Sequence, residues 1–424
     1  MDLNRNRSLR YAMKLNFDKS DFKNLSKSLE YEWLEFNDNG AYSYTTFSGL
    51  DTRRIHGLLN VPYGETNQIA VVLSKLEESI FINNHLFEIS TNQYSDVFFP
   101  HGYKFIESFS IKPFPTTIFK IGDRRLKKTV ILAKERNILI VRYELLNQGD
   151  PVKLVIKPFL GTRHNQDLTA EVQGLNTDSY LGQNFVRWAP KPDMPELNVH
   201  FNQGEFIPAS LWYHNFYYAK DATSKEKSVE DLLNPGFFRV ELKPYSTFDL
   251  YLSPDNIDDF NFDYEAIYRN QADNSAMDAI DNKNQYLKDL LNRKLSCQAC
   301  VLSPSITRST QSTRNFLFIL PILISVAPDK DRFFKLIMGL LDSVDKGLLP
   351  KQFPETDEDN QFEDADTALW LINLAYMYYR ETEDDTIFSD ELLEKFKDIV
   401  ANYAKGTSAN IYVDKTGLVF SGNK

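Results

Sequence analysis

Cysteine is nearly absent: Cys297 and Cys300 are the only two in 424 residues. Their Cys-x-x-Cys spacing is that of a redox pair or of half a zinc site. No second pair exists and no histidine lies nearby, so a tetrahedral zinc set cannot be assembled locally. The two thiols read as small apolar residues in a helix or turn. Long hydrophobic runs are missing too. The longest, Phe316 to Val326, contains Pro321 and is shorter than a bilayer span, so no transmembrane helix and no membrane partner are expected. Excess positive charge is also lacking: 48 Lys and Arg against 59 Asp and Glu leave a net charge of −11, which argues against a nucleic acid or an anionic membrane. A neutral polymer such as a glucan is compatible with that charge. Behind the basic residues of Met1 to Arg7 no apolar segment follows, so no signal peptide is read and the cytoplasm is the expected location. There is no Gly-x-Ser-x-Gly elbow, no Gly-x-x-x-x-Gly-Lys-Ser/Thr loop and no dinucleotide fingerprint. Neither a serine nucleophile nor a nucleotide cofactor is therefore expected, and no cofactor or metal of any other kind suggests itself.

Material for large cores is plentiful, with 42% hydrophobic and 13% aromatic residues, and the length calls for two or three domains. From about Tyr31 to Leu252 aromatic and β-branched residues alternate, as in Ile106 to Lys112 and Val130 to Tyr143, broken at short intervals by Gly, Pro, Asn and Asp. Such a pattern predicts a large antiparallel sandwich. After Asp255 the period changes: a polar amphipathic helix is predicted over Tyr264 to Arg293. Further helices are predicted near Thr313–Ile324, Lys330–Val344, Ala365–Arg380 and Ser389–Tyr403. The expected fold is multidomain, β then α: an N-terminal extension over 1–30, a β-sandwich over 31–254, a linker helix over 255–295 and a helical domain over 296–424.

Two constellations carry chemistry. The first is Gly347-Leu-Leu-Pro-Lys-Gln-Phe-Pro-Glu355, followed by Phe362-Glu-Asp-Ala-Asp-Thr-Ala-Leu-Trp370. Pro350 and Pro354 deny helix on either side of Gln352 and force a shaped loop. Glu363, Asp364 and Asp366 then fall at a helix start, where exposed N–H groups and the dipole favour carboxylates. A carboxylate beside the indole of Trp370 suits a sugar, whose hydroxyls want charged acceptors and whose C–H face wants an aromatic plate. On the local pattern alone a helix cap with a buried Trp explains the segment as well. The second is Thr52-Arg-Arg-Ile-His56, which brings Arg53, Arg54 and His56 close together. Read as a strand, it projects Arg54 and His56 from one face and Arg53 from the other. Such a cluster can form an inter-domain salt-bridge network, bind an anion or donate to sugar hydroxyls.

A family resemblance runs through these segments. Glu32-Trp-Leu34, Asn39-Gly40, Thr52-Arg-Arg-Ile-His-Gly-Leu-Leu59, Leu73-Ser-Lys-Leu-Glu-Glu78 and Ile89-Ser-Thr-Asn-Gln-Tyr94 carry it, as do Pro100-His-Gly-Tyr103, Glu107-Ser-Phe109 and Glu230-Asp-Leu-Leu-Asn-Pro-Gly236. In the helical half Gly347-Leu-Leu-Pro350 and Asp366-Thr-Ala-Leu-Trp370 join them. From Glu32 to its end the chain resembles the bacterial and archaeal type of glycogen debranching enzyme, the amylo-α-1,6-glucosidase family. The resemblance implies a β-supersandwich followed by an (α/α)6 toroid that holds the glucosidase site, hydrolysis of α-1,6 branch points and an α-glucan such as glycogen or a branched dextrin as partner.

Two departures qualify that implication. The family usually carries Trp-Gly-Arg-Asp-Thr ahead of a Leu-Pro-Gly-Leu-like helix, and its Arg-Asp pair grips the terminal glucose. Here Ser312-Thr-Arg-Asn-Phe316 leads to Leu320-Pro-Ile-Leu323, so Arg314 survives while the acid has become Asn315. Loss of a charge-assisted bond costs on the order of 1.5–3 kcal/mol. The second departure is that residues 264–424 supply about half of the twelve helices a toroid needs. In the family, the segment matching Gly417 to Gly422 leads into the general acid, with the base further on, and neither position falls within Lys424. A fragment and a decayed member both fit.

The sequence thus leads to a debranching-type protein without the catalytic pair as given, with Arg314, Asn315, Asp366 and Trp370 as the sugar-binding residues and self-association through unpartnered helix faces. The alternative is a non-catalytic glycan-binding or scaffold protein on the same fold. A disaccharide phosphorylase would need a basic phosphate site, and none is evident.

Overall fold

The computed structural model describes residues 16–64, 68–95, 97–172, 174–222, 228–277, 311–326, 330–353 and 361–422. The chain divides into two compact units. Met1–Asn37, Ala41–Val61 and Ala70–Ala276 form the first; Asp38–Gly40, Pro62–Ile69 and Met277–Lys424 form the second.

Two sheets build the first unit. A nine-stranded sheet runs in the order Asn16–Asp18, Ile106–Ser110, Thr116–Ile121, Arg124–Leu132, Leu139–Leu145, Thr247–Ser253, Leu197–Phe201, Phe185–Trp188, Tyr180–Gly182. An eight-stranded sheet runs Glu205–Tyr217, Val229–Leu242, Val152–His164, Gln68–Ile82, Gly57–Tyr63, Tyr42–Thr46, Glu32–Phe36, with His85–Glu88 added beside Gln68–Ile82. The strand pairings described are antiparallel, as the period-2 pattern predicts. Register follows from that alternation. Leu126 faces Leu145 and Leu132 faces Leu139, which keeps the apolar side chains of both strands buried together. Between the sheets Trp188 lies 5.1 Å from Phe206 and 6.4 Å from Phe238, ring centre to ring centre. Each such buried aromatic contributes about 1.5–3 kcal/mol.

The helix Tyr264–Met277 packs on the nine-stranded sheet, burying Tyr264 with Ile131, Ile138, Ile140 and Tyr251. Arg142 clamps its first turn: the guanidinium lies 3.4 Å from the Tyr264 ring centre and donates to Glu265 Oε1 at 2.5 Å. These helix residues up to Ala276 belong to the sandwich unit. The continuation expected to Arg293, and with it Cys297 and Cys300, lies outside the described residues.

In the second unit the described α-helices are Thr313–Val326, Lys330–Asp342, Thr367–Thr382 and Asp390–Lys405. Leu371, Leu374, Ala375 and Tyr378 are buried at positions i, i+3, i+4 and i+7, and Leu392, Phe396, Ile399 and Tyr403 repeat the pattern. They meet Leu317, Leu320, Ile337 and Leu340 in one core. Glu383 in the left-handed region ends one helix, and Gly406 at φ 96° ends the other. A hairpin, Ile411–Val413 with Val419–Ser421, follows.

Candidate functional site

The Pro350 loop fastens the start of the helix Thr313–Val326. Gln311–Ser312 pairs with Gln352–Phe353 in a two-residue ladder. Thr313 N donates to Lys351 O at 3.0 Å, and Thr313 Oγ1 donates to Pro350 O at 2.5 Å. This fixes the next residue, Arg314, whose Nη2 donates to Asp366 Oδ1 at 2.7 Å and to Asp364 Oδ1 at 3.1 Å. The bond to Asp366 holds the guanidinium pKa above its ordinary value.

Asp366 differs from the expectation drawn for it. It is the N-cap of the helix Thr367–Thr382, and its carbonyl accepts from Trp370 N at 2.8 Å, yet its side chain makes no capping bond. Its φ and ψ of −109° and −22° are helical rather than extended, and the carboxylate turns to Arg314 instead. Glu363 stands further out, 3.8 Å from Lys351 Nζ. Below the carboxylates Tyr403 donates to Ala365 O at 2.9 Å; burial and the nearby Asp366 charge push its hydroxyl up to about 12.

Trp370 lies one turn beyond Asp366, its ring 5.4 Å from Phe318 at 76°. Phe318 in turn lies one turn beyond Arg314, so the two helices bring Arg314, Asp366 and Trp370 to the same end of the unit. Trp370 Nε1 and Arg314 Nε are buried with no hydrogen-bond acceptor among the described residues. Both donors are shielded from solvent, whereas the side chain of Asp366 is 52% exposed. The side chain of Asn315 lies outside the described residues.

Arg53, Arg54 and His56 are not on a strand. Residues 51–56 form a turn closed by His56 N on Arg53 O at 3.0 Å, and Gly57 opens the strand that follows. The alternating projection therefore does not apply. Arg53 Nε donates to Glu32 Oε1 at 3.1 Å, and Arg54 N donates to Asp221 Oδ2 at 2.5 Å. His56 Nδ1 accepts from Thr52 N at 3.2 Å, and its Nε2 lies 3.6 Å from Glu32 Oε1. Burial alone would raise the Glu32 pKa. His56, Tyr44 and Lys220 outweigh it and hold the carboxylate well below its usual range. All these partners belong to the sandwich unit.

A third polar cluster lies in the segment Leu73 to Glu78, to which the sequence assigned a family resemblance but no role. Lys75, Glu77 and Glu78 sit on the strand Gln68–Ile82 and are buried. Lys75 Nζ donates to Thr91 O at 3.0 Å, to Gly49 O at 3.2 Å and to Asn92 Oδ1, and burial lowers its pKa. Glu78 accepts from Tyr143 Oη at 2.7 Å, from Ser90 Oγ at 2.6 Å and from Lys128. The adjoining cavity, lined by Trp33, Asp51, Lys75 and Lys128 among others, is about 50 Å³. It accommodates one or two waters at roughly 30 Å³ each, and not a sugar ring. The signal in the sequence was three charges within an otherwise apolar run.

Among known proteins, a family model described as the N terminus of glycogen debranching enzyme matches residues 31–249. A second, described as amylo-α-1,6-glucosidase, matches residues 331–424. A bacterial glucoamylase complexed with acarbose is similar over 88% of this chain and 58% of its own, at 11% identity and a TM-score of 0.44. A GH92 α-mannosidase from Bacteroides thetaiotaomicron is similar over 91% of this chain and 61% of its own, at 10% identity and a TM-score of 0.33. This chain thus spans less than two thirds of either structure, and likenesses of that size are too slight to carry an argument. No curated protein matches the sequence.

Proposed function

We propose that this chain, which belongs to the glycogen debranching enzyme family, serves the hydrolysis of α-1,6-glucosidic branch points in an α-glucan, holding a glucosyl unit at Arg314, Asp366 and Trp370. The observation that carries this reading is the 2.7 Å pair between Arg314 and Asp366, beside a buried indole N–H without an acceptor, in and just ahead of the segment that matches amylo-α-1,6-glucosidase. Asp366, 52% exposed, accepts from hydroxyls; Arg314, 42% exposed, donates to them, and Trp370 shapes the pocket. Asn315, next in the chain to Arg314, is kept as a sugar-binding residue on the sequence alone. The four described helices are, on this reading, part of an (α/α)6 ring, and the protein acts on glycogen or branched dextrin in the cytoplasm.

One observation favours a second reading, glycan binding without hydrolysis. Inverting hydrolysis needs two carboxylates about 6.5–9.5 Å apart on opposite faces of the sugar. Glu363, Asp364 and Asp366 stand together at one helix start and cannot straddle a glycosidic bond. Glucose release from a limit dextrin by the purified chain separates the two readings. Titration with a branched dextrin, which should bind at roughly millimolar Kd, tests what they share. Apolar side chains exposed on the helical unit, among them Tyr376 and Phe420, support self-association.

A further inference from the structure

We infer that Asp364 is a positioning residue for sugar recognition, holding Arg314 in place while Asp366 exchanges partners. This rests on the reading that Arg314 and Asp366 hold a glucosyl unit. One guanidinium nitrogen, Nη2, is shared by the two carboxylates, at 3.1 Å from Asp364 and 2.7 Å from Asp366. The two acids are otherwise unlike. Asp364 is 19% exposed and Asp366 is 52% exposed.

Their backbones differ as well. Asp364 ends a segment tied at both ends: Lys351 N donates to Gln361 O at 2.8 Å, and Thr367 Oγ1 reaches Asp364 O at 3.4 Å. Asp366 lies on the solvent side and its carboxylate is not committed to capping the helix. A hydroxyl arriving from solvent therefore meets Asp366 first and competes with Arg314 for its oxygen. If Asp366 gave up that bond alone, the guanidinium would lose its anchor as the sugar arrived. The withdrawn Asp364 prevents this. A guanidinium is planar with its donors in a fixed fork, so holding Nη2 sets the direction of every other N–H, including Nε. Asp364 touches Arg314 and not the sugar; Asp366 touches both.

The test is calorimetric titration of the full 424-residue chain with panose, a trisaccharide containing one α-1,6 bond. Asp364→Asn keeps the shape and removes the charge, and should weaken binding about tenfold, the worth of one charge-assisted bond. Asp364→Glu should stay within about threefold of the parent, and Asp364→Ser provides a second neutral variant should Asp364→Asn fold poorly. Combined with Arg314→Lys, Asp364→Asn should add little, because its effect passes through Arg314. Unchanged affinity in both neutral variants overturns the inference, as does a double variant whose losses simply multiply. A parent chain that fails to bind panose overturns the sugar reading itself, and this inference with it.

Discussion

Arg163 and Glu230 face each other inside the sandwich: Arg163 Nη2 donates to Glu230 Oε2 at 3.0 Å, and their side chains are 2% and 0% exposed. Glu230 is also reached by Thr169 N at 3.1 Å and by Tyr218 Oη. The same Arg163 Nη2 donates to Arg54 O at 2.7 Å. The turn bearing Arg53, Arg54 and His56 is thus tied to the middle of the eight-stranded sheet by a buried ion pair. Burial sequesters both charges from water, so each depends on the other for its solvation.

That dependence makes the pair asymmetric under mutation. Glu230→Ala leaves Arg163 buried and uncompensated, and should destabilise the sandwich by about 3–5 kcal/mol. Replacing both residues with apolar ones of similar size, Arg163→Met with Glu230→Leu, should cost much less than that single change. Denaturant unfolding followed by tryptophan fluorescence measures both; equal losses would contradict the buried-pair account.

Glu32 links this turn to acid stability. Its folded pKa is depressed, so it contributes stability above its unfolded value, and that contribution is lost as pH falls through the folded value. Glu32→Gln should therefore lower the melting temperature at pH 7, and the gap to the parent should narrow steadily from about pH 4.5 downward. A gap independent of pH would show that Glu32 acts through packing alone.

The same residues explain what could be read from the chain beforehand. Alternation located the strands because each sheet buries one face, and Leu139–Leu145 shows that pattern plainly. Helix positions came within a few residues because the apolar stripes at Leu371 to Tyr378 and Leu392 to Tyr403 have no competing period. What failed was local. The turn at Arg53 to His56 resembled a strand because its residues lack Gly and Pro; its shape comes from bonds to Glu32 and Asp221, distant in sequence. Asp366 looked like a cap because position favours one, but Arg314, 52 residues earlier, takes its carboxylate. Lys75, Glu77 and Glu78 stand out only within a segment that carries the family resemblance, and their burial depends on partners on other strands, such as Asn92 and Lys128. Long-range ion pairs leave no period in a sequence.

Association should follow from the surface of the helical unit. Leu418 is 69% exposed, Tyr376 and Val400 are each 55%, and Phe420 is 44%. Apolar area of this kind favours contact with another apolar surface. Sedimentation should show self-association above micromolar concentrations, and Leu418→Ser with Phe420→Ser should weaken it several-fold. A monomer at all concentrations would refute the idea.

Binding and hydrolysis should separate in this chain. Asp366 is both exposed and paired with Arg314, so its removal takes away the sugar's charged acceptor and one anchor of the guanidinium together. Asp366→Ala should lower affinity for a branched dextrin by tenfold or more, from roughly millimolar to about ten millimolar or weaker. Tyr403 would lose the nearby charge that helps push its hydroxyl up to about 12, and its titration should shift downward, a second signature read by ultraviolet absorbance. Cys297→Ala, a control outside this cluster in sequence, should leave affinity unchanged. Glucose release from a limit dextrin separates hydrolysis from binding alone: the described acids at this helix start lie on one side of any sugar they hold, so a parent chain that binds the dextrin without releasing glucose supports the binding reading. Glucose released by the parent and lost in Asp366→Ala would instead mean that a second carboxylate reaches this site from elsewhere in the protein.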